Sequence, residues 1–293
     1  MAFQSLDHLI QKMSRGDALR SDWAINIGAS ALTASRWYDM SRGHRSGPSN
    51  TYPGTALTWV TCNETSGNGT ETFGILHGGN KSPATKHAIN AGSLGGVATA
   101  TGTLLLVDMQ GYWPGISLSS SALQTLSGTP SLRYTNGEGC RLYTVTTTAP
   151  TTGTPNLSVS YTNQTPTSGR TLGATVTLTA SAIQTHILHS GTAAGNYGPF
   201  LPLASGDYGV SNVASVQLSA PMAGTGVAAL VLARPILSIP VNVGGVMVDR
   251  DMLTATPGFP QIKDNACLTW LYYSTAATGI GGTFQGYIDF AWG

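Results

Sequence analysis

The stretch Leu157-Ser158-Val159-Ser160-Tyr161-Thr162 governs how the rest of the chain is read. Apolar side chains alternate with hydroxyls at a period of two, so an extended backbone carries one apolar and one polar face. That is the pattern of an antiparallel strand with one face on a core and the other solvated or against a hydrated partner. Val176-Thr177-Leu178-Thr179 repeats it, and Phe284-Gln285-Gly286-Tyr287-Ile288-Asp289-Phe290 follows it less strictly. By the same criterion, strands are predicted at 57–62, 72–77, 103–109, 141–147, 157–162, 174–180, 215–219, 226–233, 267–273 and 283–291. Gly, Pro and Asn separate them at intervals too short for crossover helices. The chain shows no repeat of fixed period, which argues against a propeller or solenoid. The expectation is a mainly β protein, an antiparallel β-sandwich of jelly-roll-like form.

The beginning of the chain reads differently. Leu6, Leu9, Ile10 and Met13 fall at i, i+3, i+4 and i+7, one apolar stripe of a short helix. Ser5 suits the N-cap, Asp7 suits the positive end of the helix dipole, and Gly16 suits the stop. A helix of about ten residues is unstable alone, so its stripe must be buried on something. A second short helical or irregular stretch is expected over 17–25. Arg36-Trp37-Tyr38-Asp39 then leads into a Gly-, Ser- and Pro-containing loop over 41–54. The chain therefore divides into an N-terminal arm, residues 1–55, and a β body, residues 56–293. Ser82 and Pro83 would also suit the start of a short helix over 81–90.

Composition says what company such a body keeps. Lys and Arg number 14 and Asp and Glu 13, for a net charge of +1 and a charged fraction of 9%. Ordinary soluble domains are roughly 25% charged. Thr, Ser, Ala, Gly and Asn replace the missing charge, and such a surface lacks the repulsion that keeps neighbours apart in solution. It suits a subunit whose faces are covered by other protein. Nucleic acid is not an expected partner, because counterion release needs a basic stripe. The cluster Arg36, Arg42, His44 and Arg45 reads as an interface or solvated loop. A membrane is not expected either: the longest apolar runs, 103–109 and 227–233, are strand-length, far short of the roughly 20 residues of a spanning helix. Met1-Ala2-Phe3-Gln4-Ser5 lacks the basic start and apolar core of a secretory signal. Cys62, Cys140 and Cys267 are odd in number and far apart in sequence, a pattern of buried thiols made in a reducing cytoplasm.

Motifs that carry chemistry are missing or incomplete. His186 and His189 are three apart, but no third ligand accompanies them and no acid follows until Asp207, so hydrogen bonds to backbone are expected instead of a metal. His77-Gly78-Gly79-Asn80-Lys81-Ser82 departs from a phosphate loop, because Asn80 stands where the pattern needs glycine, and a tight turn is expected. There is no Gly-x-Ser-x-Gly elbow. Asp108, Glu138, Asp207, Asp249 and Asp289 could pair across strands, but catalysis by them is not the expectation, and Asp249-Arg250-Asp251 reads as a local ion-pair cluster. No catalytic residue and no cofactor is expected. Large rings at Tyr112-Trp113, Trp270-Leu271-Tyr272-Tyr273 and Tyr287 to Trp292 suit core, glycan platform or interface anchor. Trp292, next to last, is expected in a closing strand or a contact between subunits.

Taken together, several phrases of the chain resemble a family of tailed-bacteriophage virion proteins encoded among head genes, the minor capsid, cement or decoration proteins. They are Ser5-Leu6-Asp7-His8-Leu9-Ile10, Arg36-Trp37-Tyr38-Asp39, His77-Gly78-Gly79-Asn80, Leu104 to Asp108 with Tyr112-Trp113-Pro114-Gly115, Gly198-Pro199-Phe200-Leu201-Pro202-Leu203, and Tyr287 to Gly293. The resemblance implies a non-enzymatic structural protein, made in the bacterial cytoplasm and placed on the capsid surface of the virion. Its implied partners are the major capsid protein and further copies of itself, a trimer being a common arrangement of such proteins. Leu6, Leu9, Ile10 and Met13 would make the arm's contact, Trp37 and Tyr38 would support it, and Trp292 would contribute to an interface. The alternative within the virion is a receptor- or glycan-binding module that uses Tyr112, Trp113 or Tyr273 as a stacking platform.

Overall fold

The computed structural model describes residues 3–26, 32–41, 52–64, 74–95, 101–180, 185–190, 198–242, 245–255, 259–275 and 283–293. In chain order these form α1 (Leu6–Ser14), β1 (Ala18–Asn26), β2 (Arg36–Asp39), β3 (Val60–Thr61), β4 (Lys86–Gly95), β5 (Gly102–Ser117) and β6 (Gln124–Thr125). There follow β7 (Arg141–Thr148), β8 (Asn156–Asn163), β9 (Arg170–Thr171), β10 (Val176–Thr177), β11 (Val210–Leu218) and β12 (Val227–Val241). The last are β13 (Met247–Asp251), α2 (Met252–Ala255), β14 (Gln261–Ile262), β15 (Leu268–Ser274) and β16 (Thr283–Trp292). The protein is mainly β, every ladder between these strands is antiparallel, and a short helix stands at the N-terminal end.

Three sheets share the strands. The central sheet runs β2-β15-β5-β12-β7, with β3 also on β5. A second runs β1-β16-β4-β13, with β14 on β4, and a third runs β10-β8-β11-β6, with β9 on β8. The long strands β5 and β12 serve both neighbours. Leu104, Leu106, Ile239 and Trp270 pack against Ile25, Trp23, Phe284, Ile288 and Phe290 of the second sheet. Further along, Trp113, Leu142, Leu230 and Leu232 pack against Val159, Tyr161, Val213 and Val216 of the third. Val107, Met109, Tyr112, Tyr143 and Val231 alternate with those residues and form a third cluster, closed by Tyr52 and Ile187. Face-to-face packing of pleated sheets in this way is the sandwich principle. Pro235 and Pro240 are tolerated in β12 because β7 ends opposite Ala233, and the strand's outer edge needs no N–H donors beyond it.

Leu157 to Thr162 does what its alternation predicts: Leu157, Val159 and Tyr161 are buried, and Val159 and Tyr161 lie opposite Val216 and Val213. Other expectations change. Residues 17–25, read as helical or irregular, are β1, with Ser21, Trp23 and Ile25 inward and Arg20, Asp22 and Ala24 outward. The helix allowed over 81–90 is replaced by the entry into β4 at Lys86. Within the expected arm of residues 1–55, β1 pairs with β16 and β2 with β15, so both strands belong to the sheets of the body. The strand expected at 57–62 shortens to β3 and that at 174–180 to β10, while β5 and β12 run on to Ser117 and Val241. The strand expected at 72–77 begins outside the described residues; Ile75 bridges Leu268. Arg42, His44 and Arg45 of the basic cluster also lie outside the described residues.

Candidate interaction surface

The N-terminal helix is built as its sequence demands. The Ser5 hydroxyl accepts the His8 amide at 3.1 Å, and Asp7 stands in the first turn. At the other end the Gly16 amide reaches the Met13 carbonyl (3.1 Å) and the Asp17 amide the Lys12 carbonyl (3.0 Å). This paired closure is a Schellman motif, and it needs Gly16 at φ +87°. Lys12 also pairs with Asp17 at 3.4 Å. The nine-residue helix thus carries a cap at each end.

Its apolar stripe is only partly used. Leu9 is 6% exposed and packs with Ile89 and Ala291, flanked by Phe3, Ala18 and Phe259. Leu6, Ile10 and Met13 remain 51%, 55% and 42% exposed. One residue therefore pins the helix to the second sheet while three present an apolar ridge outward. Beside the ridge lies a groove of about 380 Å³ lined by Phe3, Leu6, Leu9, His87, Leu253 and Phe259, together with Gln4 and Ser5. Its rings are in contact, Phe3 with His87 at 5.6 Å and with Phe259 at 6.3 Å between centroids. Burial holds His87 below the usual histidine range, and its Nδ1–H donates to the Phe259 carbonyl at 3.1 Å. The groove wall is therefore uncharged at neutral pH. Ridge and groove form one continuous apolar surface on a chain with little charge.

Tyr38, Trp37 and Trp292, also expected at an interface, differ in what they leave open. Tyr38 is fully buried in the core between the central and second sheets, where its hydroxyl accepts the Thr33 amide at 2.7 Å, so it offers a partner no surface. Trp37 is partly buried in β2 and stacks on Tyr273 at 5.3 Å, in a different sheet from the one that carries α1. Trp292 ends β16 with the Lys81 ammonium 4.2 Å over its ring, and its amide donates to the Asp17 carbonyl (3.1 Å). Tyr112 and Trp113 lie in the middle of β5, wholly buried, and cannot serve as an exposed stacking platform.

The polar groups singled out for chemistry make hydrogen bonds within the fold. His189 donates Nε2–H to the Pro199 carbonyl at 3.1 Å and accepts from the Thr144 hydroxyl at 3.0 Å. His186 takes a hydrogen bond from Arg36 at 3.1 Å. Burial, the larger effect for both, lowers each imidazole to about 3, so both are neutral at pH 7. Lys86 donates to His77 Nδ1 at 2.5 Å and to the Gly79 carbonyl, while Glu64 accepts the amides of His77 (2.7 Å) and Gly79 (3.2 Å). That network ties the turn at Gly78 and Gly79, both at positive φ, to β4. Burial lowers Lys86 to about 8.

The acids are dispersed. Asp108 pairs with Arg133, Asp207 with Arg170 and Asp289 with Arg20, and Asp249 accepts from the Tyr287 hydroxyl at 2.6 Å. Arg250, expected to pair with its neighbours, instead donates to the Ser238 carbonyl and, at 3.1 Å, to the Ser238 hydroxyl. Among the described residues no group of three or more His, Cys, Asp or Glu is arranged to hold a metal. Comparison of the chain with protein families, with curated proteins and with solved structures found no match.

Proposed function

We propose that this chain is a structural subunit of a bacteriophage head, a cement or decoration protein that strengthens the shell by contacts instead of chemistry. The observation that carries this reading is the α1 ridge: Leu6, Ile10 and Met13 held outward on a helix capped at both ends and seated through Leu9. Capping gives the helix no local reason to expose three large apolar side chains, whereas a partner surface supplies one. Full burial of such a side chain is worth about 1.5–3 kcal/mol. The ridge therefore offers several kcal/mol per copy before ordering costs, and valency on a symmetric shell multiplies the term.

In this reading the major capsid protein receives the ridge and groove, and further copies of the chain meet through hydroxyl-rich sheet faces such as that of β8. There Ser158 and Ser160 face away from the core, opposite Gln217 and Ser215 of β11. The 9% charged fraction fits a life spent largely covered. The protein would be made in the host cytoplasm and reside on the capsid surface. The test is cosedimentation of purified protein with empty phage heads that lack it. Wild type is expected in the head fraction and an Ile10→Asp, Met13→Asp variant in the supernatant; equal sedimentation of the two would overturn the assignment of the ridge.

A further inference from the structure

Cys62 and Cys267 are far apart in sequence and meet at one point on the edge of β5. Two strands share that edge: β15 pairs Leu268 with Asp108, and β3 pairs Thr61 with Gly111. Both run antiparallel to β5, and β12 occupies the opposite edge. β3 and β15 therefore lie end to end as one strand with a break, and the cysteines flank the break. The Cys62 amide donates to the Gln110 carbonyl at 3.0 Å, and the Cys267 carbonyl accepts the Met109 amide at 2.9 Å.

Successive ladder positions along a strand are about 3.4 Å apart, so a gap of between one and two positions across such a break falls in the range of about 4.4–6.8 Å between Cα atoms that a disulfide spans. Side chains at successive positions normally point to opposite faces. Here β5 carries an extra residue at Gln110, where its register with β12 shifts, and both cysteines join the same buried cluster. Each is 1% exposed, and the Cys267 thiol is the neighbour that acts most strongly on the Cys62 thiol.

We propose that Cys62 and Cys267 form a latent cross-linking site that closes to an intramolecular disulfide when the protein meets a peroxide. One thiol takes an oxygen atom from hydrogen peroxide to give a sulfenic acid and water. The second thiol then displaces that oxygen as water, and the S–S bond forms; two electrons pass from the thiols to one peroxide. The neighbouring Cys267 thiol, and then burial, push the Cys62 thiol up, so thiolate is scarce and closure is slow, which leaves the pair reduced in a reducing compartment. The product would splice β3 to β15 covalently along the β5 edge. The inference is independent of the role proposed above.

Cys140 provides the internal control. It is buried in a different cluster, and burial pushes its thiol up to about 12. The experiment treats the full chain, and a Cys140→Ser variant, with dilute hydrogen peroxide, then unfolds and alkylates the protein and maps the peptides. The expected result is a monomer lighter by about 2 Da, as two thiol hydrogens are lost. A linked pair of peptides should contain Cys62 and Cys267, with Cys140 alkylated and the variant behaving identically. Closing a loop of about 200 residues should also raise the thermal midpoint by several degrees over the reduced protein. Cys62 and Cys267 both recovered as alkylated or singly over-oxidised residues after Cys140 has reacted would overturn the proposal, as would dimers as the only disulfide product.

Discussion

Arg133 and Asp108 form a two-pronged ion pair inside the protein: Nε lies 3.1 Å from Oδ2 and Nη2 2.5 Å from Oδ1, with side chains 10% and 0% exposed. The same guanidinium donates to the carbonyls of Cys62 (2.7 Å) and Met109 (2.5 Å), and Asp108 Oδ1 also takes the Cys267 amide at 3.0 Å. The pair thus fastens the break between β3 and β15 along the edge of β5. A charge left alone in such a place is far costlier than the pair is favourable. Arg133→Leu should lower the unfolding free energy by about 3–5 kcal/mol. Urea denaturation checks this, and a loss under about 1 kcal/mol would show the pair to be no better than an exposed one.

Acid should unfold the protein through its buried histidines. His186 and His189 have folded-state values of about 3, below the ordinary 6.5, so the unfolded state binds protons first as pH falls. Their contribution to stability is fully present above pH 6.5 and drains away as pH falls from there toward 3, each group adding up to about 1.4 kcal/mol per pH unit. A series of thermal midpoints from pH 7 to pH 4 should fall steeply for wild type. In His189→Gln, which has no imidazole to charge, the slope should be visibly shallower, whatever the variant's stability at pH 7.

Two glycines separate backbone strain from steric exclusion. Gly16 sits at φ +87° with nothing within 4 Å of the place a Cβ would take, so Gly16→Ala should cost only about 1 kcal/mol, felt at the end of α1. Gly137 sits at φ +70°, and a Cβ there would collide with the Val210 carbonyl oxygen at the start of β11. Gly137→Ala should cost about 3 kcal/mol or more, because backbone must move as well. Equal losses for the two would contradict the packing described for β11.

Leu9→Ala should free α1 without unfolding the sheets. Its cluster with Ile89 and Ala291 is small and meets the larger core through Phe259, so the loss of a buried leucine, about 2–5 kcal/mol, exceeds what holds a nine-residue helix in place. Amide exchange across α1 should then rise to that of a disordered peptide, while amides of β5 and β12 stay protected. Protection of α1 unchanged from wild type would mean that the helix is held by something other than Leu9.

Much of the architecture could be read from the chain, because period-two alternation states both element and face. Leu157 to Thr162 and Phe284 to Phe290 declare themselves in this way. β1 and β4 do not. In β1 an inward Ser21 interrupts the apolar face. In β4 the apolar pattern breaks at Gly92, where a Cβ would meet the Tyr287 ring and the Asp249 carboxylate, just as one at Gly286 of β16 would meet the Trp23 ring. Tertiary packing selected those residues, and no local pattern reports it. At the candidate surface the periodicity of α1 located the ridge, and Ser5 and Gly16 marked its ends. Which face it presents outward depends on how Leu9 meets Ile89 and Ala291, contacts made by chain segments far from the helix in sequence. The aromatic residues Tyr38, Tyr112 and Trp113 carried no such signal, since a large ring suits a core and an interface equally well. The meeting of Cys62 with Cys267 is likewise a product of β5, which neither cysteine's neighbourhood announces.

Whether the α1 ridge is a shell contact can be seen outright in a cryo-electron microscopy map of phage heads decorated with this protein. We expect α1 at the contact with the shell, with density from the major capsid protein covering Leu6, Ile10 and Met13 and filling the groove beside Phe259. Heads that carry the protein with that ridge open to solvent, or heads that carry none of it at saturating concentration, would contradict the assignment.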